Sequence, residues 1–297
     1  MCHIVSMNTA IVAEGGGQRG IYTAGVLDAF LAEKFNPFDM GCGVSAGAQN
    51  LLAYCLEQPE YAKRAIVDLT AADDFLVPYR CITSQNIIDL DGYFERSVSD
   101  PDYRLPYQRI DDIQHQRRLQ FVATDKESLE PIYLEPDELS VVSNLKASSA
   151  VPFLYKSGVS FDGRVLVDGG VADPLPVQHV YEQGARRIVL IRTVHKDSLD
   201  NHNVWRQRFK SIRRLPVAPT KLFDILERHE AAVIDALSFI NDHPKNLELF
   251  IIQPKSTLRS QVFGSPTDAL LDDYEQGRRE GHNAVQKLWN WVAPIKS

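Results

Sequence analysis

The sequence predicts a three-layer α/β/α domain around a largely parallel central sheet, and three observations lead there. Short apolar runs of strand length alternate with segments of helical spacing along most of the chain. Two of those runs end in glycine-rich turns that open directly into helical segments. The 297 residues are 44% hydrophobic, which suffices for one large core.

The elements follow in order. TAIVAE (9–14) is a short apolar run ending in glycines, the pattern of a buried strand. IYTAGVLDAFLAEK (21–34) has helical spacing, with Ile21, Ala24, Leu27 and Leu31 on one face, and Asn36–Pro37 breaks the chain after it. MGCGV (40–44) is a second strand and AGAQNLLAYCLEQ (46–58) a second helix. Residues 59–115 are an irregular insertion with short helical pieces, a natural place for a lid or an acyl-chain pocket. LQFVATD (119–125) and PIYLE (131–135) read as strands, and 139–150 as a helix running into Pro152. GVSFDGRVLVDGG (158–170) holds two β-rich runs joined by Asp162–Gly163, a hairpin signal. A short helix is expected over 176–183 and a strand over RRIVLIRTV (186–194). Beyond the polar, basic stretch 196–219 come a helix (221–241), a strand (247–254) and a final helix (268–292). The expected organisation is a core at 9–195, with 196–297 as a C-terminal extension packed on the same domain.

Composition excludes several classes of function. A net charge of −7 argues against a nucleic-acid partner. Cys2, Cys42, Cys55 and Cys81 form neither a CxxC pair nor a metal-ligand spacing, and read as reduced thiols of a cytoplasmic protein. The N-terminal stretch MCHIVSMNTAIVAEGGG lacks the basic and long apolar parts of a signal peptide. No uncharged apolar run approaches the ~18 residues of a spanning helix.

Two glycine motifs carry the chemistry, and three readings of them compete. Gly41, Gly43 and Gly47 around Ser45 serve a plain strand-to-helix turn in the first. In the second, Gly15-Gly16-Gly17-Gln18-Arg19-Gly20 fits the G-x-G-x-x-G of a dinucleotide site, but the acidic residue at the right distance, Asp39, precedes the next strand instead of ending it. The third uses both. Ser45 in Gly43-Val44-Ser45-Ala46-Gly47 is a nucleophile on a tight turn at a helix N-terminus, and consecutive glycines on the neighbouring strand offer N–H groups to an oxyanion. That reading lacks a base. His179, His195, His202, His229, His243 and His282 sit in no distinctive pattern. Asp168, which closes a strand and is followed by Gly169–Gly170, stands out among the acids, although a plain turn explains it too.

Taken together, EGGGQRG (14–20), GVSAG (43–47), ASSAVPFLY (147–155) and DGG (168–170) resemble the patatin-like phospholipases, closer to the compact bacterial type than to the plant storage type. The resemblance covers about residues 9–195. It implies the patatin-like fold and a Ser45–Asp168 dyad without histidine. Gly15, Gly16, Gly17 and Arg19 would form or support the oxyanion hole, and Gly20, Gly43, Gly47, Gly169 and Gly170 would support the motifs. The implied reaction is hydrolysis of lipid carboxylic esters through an acyl-enzyme, with no metal and no cofactor. The departures are Glu14, where the family often has Asp or Gly, and Val171-Ala172-Asp173-Pro174, where many members carry Asn before Pro. A lipid-binding or regulatory protein of the same fold with little turnover is the alternative, followed by a Rossmann-type nucleotide enzyme.

WRQRFKSIRRL (205–215) places Trp205, Phe209 and Ile212 on one side of a helix, with Arg206, Arg208, Lys210, Arg213 and Arg214 giving +5. That pattern suits a solvated basic helix, and it also suits peripheral contact with an anionic membrane. Leu288, Trp289, Trp291 and Val292 of the last helix read as packing residues. Lipid class, chain length and oligomeric state leave no mark in the sequence.

Overall fold

The computed structural model describes residues 9–83, 85–195 and 220–292. The basic segment 205–215, Cys2 and His202 lie outside the described residues.

Among the described residues eight strands form one sheet in the order β5-β6-β3-β2-β1-β7-β8, with β4 on β3. β1 (Thr9–Ala13), β2 (Met40–Val44), β3 (Arg118–Asp125), β7 (Arg187–Ile191) and β8 (Glu248–Ile252) are parallel to their neighbours in this set. β4 (Pro131–Leu134) and β6 (Arg164–Asp168) run antiparallel to β3, and β5 (Val159–Phe161) forms a hairpin with β6. The hairpin turns at Asp162 and Gly163, both at positive φ (47° and 77°), as a two-residue turn matched to strand twist requires. The helices are α1 (Gly20–Ala32), α2 (Ala46–Cys55), α3 (Tyr61–Arg64), α4 (Leu90–Ser99), α5 (Ile110–Gln116), α6 (Val141–Ser149), α7 (Val177–Glu182), α8 (Thr220–Asn241) and α9 (Thr267–Val292).

Successive strand residues point to opposite faces, and in the central strands β1, β2 and β7 both faces are covered, so these read as unbroken apolar runs instead of alternating ones. Ile11 and Ala13 of β1, with Val189 and Ile191 of β7, join a core that holds Tyr22 and Phe30 of α1, Leu51 and Leu52 of α2, Val285 and Leu288 of α9. Ala10 and Val12, with Ile188 and Leu190, join a second core that holds Val177 and Val180 of α7 and Ile240 of α8. Helix, sheet and helix thus make three layers.

α1 departs from the expected single buried face. Ile21 and Ala24 pack with Leu270 and Tyr274, whereas Tyr22, Val26, Leu27 and Phe30 enter the main core and Leu31 packs only partly against it. The cause is α9, which crosses α1 closely. A Cβ at Gly25 would sit 2.2 Å from the Tyr274 carbonyl oxygen, and one at Gly277 would sit 2.1 Å from that of Tyr22. Leu288 of α9 is fully buried, but Trp289 is 47% exposed and meets Phe35 edge-on at 5.0 Å, so it packs at the rim of the core.

Candidate active site

The pairing of β3 positions the site. Phe121 and Val122 pair with both β2 and β4, and Ala123 pairs with both β4 and β6. A strand has two edges, so β4 holds one while β2 and β6 share the other. β2 is parallel to β3 and stops at Val44, opposite Val122. β6 is antiparallel and stops at Asp168, opposite Ala123. The C-terminal ends of β2 and β6 therefore meet head to head, which brings Ser45 to Asp168.

Ser45 caps α2 at φ 53° and ψ −123°, a conformation that costs a non-glycine residue on the order of 1–3 kcal/mol. Its surroundings hold it there. The Ser45 N–H donates to Ser148 Oγ at 2.9 Å. A Cβ at Gly47 would lie 2.4 Å from the Ala13 carbonyl oxygen, so only glycine lets the elbow press onto β1. Ser45 thus stands at the N-terminus of α2, where the positive end of the helix dipole favours a developing negative charge.

Asp168 is buried and its Oδ1 accepts from the Gly170 N–H at 2.8 Å. Burial pushes its carboxyl up to about 6, against hydrogen bonds from the Ser45 side chain and the Gly170 N–H and the charge of His229. Thr124 Oγ1 donates to the Asp168 carbonyl oxygen at 2.9 Å and accepts from the Ala172 N–H at 3.2 Å, which fixes the turn behind the carboxyl.

The glycine loop lies alongside. A Cβ at Gly15 would stand 3.3 Å from Ser45 Cβ. Gly17 has φ 57°, and a Cβ there would meet the Val262 carbonyl oxygen at 2.3 Å. Among the described residues the N–H groups of Gly15, Gly16 and Gly17 have no hydrogen-bond acceptor. Arg19 lines the same cavity, and burial holds its guanidinium below the usual arginine range, with Glu14 opposing. Gly20, Gly43, Gly169 and Gly170 all fall where the chain passes close to Ser45 or Asp168 or their strands; a Cβ at Gly169 would strike the Val122 carbonyl oxygen at 2.1 Å.

These groups open on a cavity of about 760 Å3. Its far walls are apolar: Ile66, Phe75, Ile88, Leu90 and Tyr93 from the insertion, and Leu222, Ile225, Leu226 and Val233 from α8. The insertion thus contributes one wall of the cavity beside Ser45.

Several residues that shape the site escaped the sequence reading. Gln18 is buried, its amide donates to the Thr70 carbonyl at 2.9 Å, and its carbonyl accepts from the Ser265 N–H at 2.8 Å. Arg192 faces Glu14 at 3.6 Å, and the Thr193 N–H donates to the same carboxylate at 2.6 Å. Glu14, read as a mild departure, is therefore the tie between the glycine loop and the end of β7. Ser148 lay inside a quoted block with no role attached. Of the histidines, His229 alone among the described residues lines the cavity. Its neighbours in sequence gave one signal, a polar ring in the middle of the apolar stripe Leu222, Ile225, Leu226, Val233.

Asp39 lies elsewhere. It precedes β2 and accepts from the Thr9 N–H at 3.0 Å, at the start of β1, so it stands at the opposite end of the sheet from the glycine loop. Among the described residues no group of three or more His, Cys, Asp or Glu side chains is arranged to hold a metal ion.

Residues 220–293 match a family model described as a domain of unknown function (DUF6363). The protein YjjU of Escherichia coli strain K12, which carries the name "uncharacterized protein", is 37% identical over 294 residues, covering 96% of this chain and 80% of its own. Among solved structures, VipD from Legionella pneumophila has a TM-score of 0.43 at 13% identity, over 95% of this chain and 67% of that one. The type III effector ExoU has a TM-score of 0.40 at 10% identity, and the chain spans about half of its length (53%). Residues 11–181 match the model described as patatin-like phospholipase. Matched by that model over more than half its length, the chain belongs to the patatin-like phospholipase family, and so stands among lipid ester hydrolases.

Proposed function

We propose that the chain is a serine acyl hydrolase of phospholipase A or lysophospholipase type, with Ser45 as nucleophile and Asp168 as its base. The observation that carries the reading is the meeting of the β2 and β6 ends on one edge of β3, which sets the strained serine against a buried carboxyl beside an apolar cavity.

The chemistry follows from those positions. Ser45 Oγ attacks the ester carbonyl carbon while its proton passes to Asp168. The N–H groups of Gly15, Gly16 and Gly17 receive the charge that develops on the carbonyl oxygen, with Arg19 supporting the loop. Collapse of the tetrahedral intermediate expels the alcohol, which takes the proton back from Asp168, and leaves the acyl group on Ser45. Water then attacks the acyl carbonyl carbon while its proton passes to Asp168, and collapse frees the carboxylic acid as Ser45 Oγ leaves and takes that proton back. A carboxylate is a weak base in water, but burial brings Asp168 to about 6, nearer to the working pH. The apolar cavity supplies that burial and a place for an acyl chain. Each step uses protein groups and water.

The domain reading belongs to the same proposal: 9–195 acts as the catalytic core, and 196–297 packs on it as one domain, supported by β8 in the common sheet and by the close crossing of α9 on α1. No helix among the described residues is long and apolar enough to cross a membrane. A cytoplasmic location, and contact of 205–215 with anionic membrane, are part of the reading on sequence grounds.

The test is hydrolysis of p-nitrophenyl esters and phosphatidylcholine vesicles with EDTA present. Wild type should turn over, and a fluorophosphonate should add to Ser45, located by peptide mass spectrometry. Turnover in Ser45→Ala equal to wild type overturns the reading. A wild type inert toward both substrates and the fluorophosphonate favours the lipid-binding alternative.

A further inference from the structure

We infer that His229, on α8, is a positioning residue that holds the Gly170 carbonyl and thereby the turn that aims Asp168 at Ser45. The inference rests on the dyad reading above and adds a part supplied by the C-terminal region, from outside the segment 11–181 that the patatin-like model matches.

His229 Nδ1 lies 2.6 Å from the Gly170 carbonyl oxygen. A carbonyl can only accept, so Nδ1 carries a proton whether the ring is neutral or charged, and the bond survives either state. Gly170 is the residue whose N–H donates to Asp168 Oδ1 at 2.8 Å. One peptide unit away, therefore, the same glycine is gripped from both sides: its N–H by the carboxylate, its carbonyl by the imidazole. Next to it on α8, Arg228 donates to the Leu129 carbonyl at 3.0 Å, and its charge favours the Asp173 carboxylate at the far side of the turn. The half-buried stripe of Leu222, Ile225, Leu226 and Val233 seats the helix against the cavity, and His229, itself exposed, lines the cavity rim among them.

A charged ring also acts through space. Its positive charge favours the Asp168 carboxylate. Among the described residues the other charged groups lining the cavity are Glu14 and Arg192 just past the ends of β1 and β7, Arg19 after the glycine loop, and Glu230 on α8 itself. Glu14 and Arg192 face each other, and Asp173, beyond the turn, faces Tyr133. Among the described residues, His229 is the side chain whose positive charge, when the ring is protonated, favours the Asp168 carboxylate.

The experiment is the pH profile of p-nitrophenyl butyrate hydrolysis for wild type, His229→Ala, His229→Gln and Asp168→Asn, with the melting temperature of each. His229→Ala should lower kcat about tenfold, the scale of one hydrogen bond to a positioning turn, with KM within about twofold. Its acid limb should move to higher pH, because the favourable charge on Asp168 is gone. His229→Gln should recover most of kcat through its amide N–H, yet keep the displaced limb, since it restores the bond without the charge. A His229→Ala profile superimposable on wild type overturns the inference. So does a fall in kcat that tracks the melting temperature and is not rescued by Gln. Wild-type activity in Asp168→Asn overturns the dyad itself and this inference with it, whereas inactive Asp168→Asn beside fully active His229→Ala overturns His229 alone.

Discussion

Asp168 and Asp173 flank one short turn, and burial pushes both carboxyls up to about 6, yet they face different partners. Asp168 stands opposite the Ser45 hydroxyl at the cavity. Asp173 accepts from Tyr133 Oη at 2.8 Å, and the Tyr133 ring lies flat on His179, centroids 3.4 Å apart at 4°. There burial pushes His179 down to about 4, and its Nε2 meets Gln120 Oε1 at 2.9 Å. A raised carboxyl therefore marks burial, and its role follows from what it faces. Turnover is the harshest test of this distinction. Asp168→Asn and Ser45→Ala should each lose about 10³-fold or more in kcat, while Asp173→Asn should stay within about tenfold of wild type. Equal losses in the two asparagine variants would erase the contrast.

The same burial has a cost in stability, and its sign can be worked out. Asp168 binds its proton more tightly folded, at about 6, than unfolded, near its ordinary 3.8. Between these values the folded state holds more protons, so stability falls as pH rises from about 4 to 6 and stays lower above. The full difference is about 3 kcal/mol. Asp168→Asn removes it, keeps an acceptor for the Gly170 N–H, and should be the more stable protein at pH 8 but not at pH 4. Urea melts at the two pH values measure this. An inactive variant that is also less stable at pH 8 would mean that the carboxylate is a structural group after all.

Tyr133→Phe probes the other carboxyl. The tyrosine bond favours the charged form of Asp173, so its loss raises that carboxyl further and leaves it with the Leu175 N–H but one hydrogen bond short. The expected cost is about 1–3 kcal/mol at neutral pH, with turnover unchanged. A loss of activity without a loss of stability would tie Asp173 to catalysis and collapse the two carboxyls into one system.

The turns that carry Ser45 and Asp168 were legible in the sequence, and the reason is local. Ser45 and Asp168 both sit where apolar runs end in glycines, and close backbone packing leaves glycine as the residue that fits, so the chain records the turn directly. The hairpin at Asp162–Gly163 was legible for the same reason. What the sequence did not carry was long-range. The split burial of α1 depends on α9, about 250 residues away, and the Glu14–Arg192 pair joins two strand ends separated by most of the core. Asp173 and Tyr133 meet only because β4 folds back along β3. The insertion wall and His229 likewise needed the tertiary fold to reach the cavity.

The smallest expected effect is also the most discriminating. Below about pH 6 Asp168 is protonated and cannot take the Ser45 proton, so kcat/KM should fall about tenfold per pH unit on that side and level off above it. The groups that set this midpoint are burial, Ser45, the Gly170 N–H and His229, and Asp173 is not among them. Asp173→Asn should therefore leave the acid limb within about 0.3 pH unit of wild type, although it removes a carboxyl of the same pKa. If both carboxyls belonged to one titrating system, deleting either would displace the limb, because the apparent values of a coupled pair belong to the pair. A limb that stays in place in Asp173→Asn, with activity intact, makes Asp168 the single carboxyl whose ionisation the reaction reads.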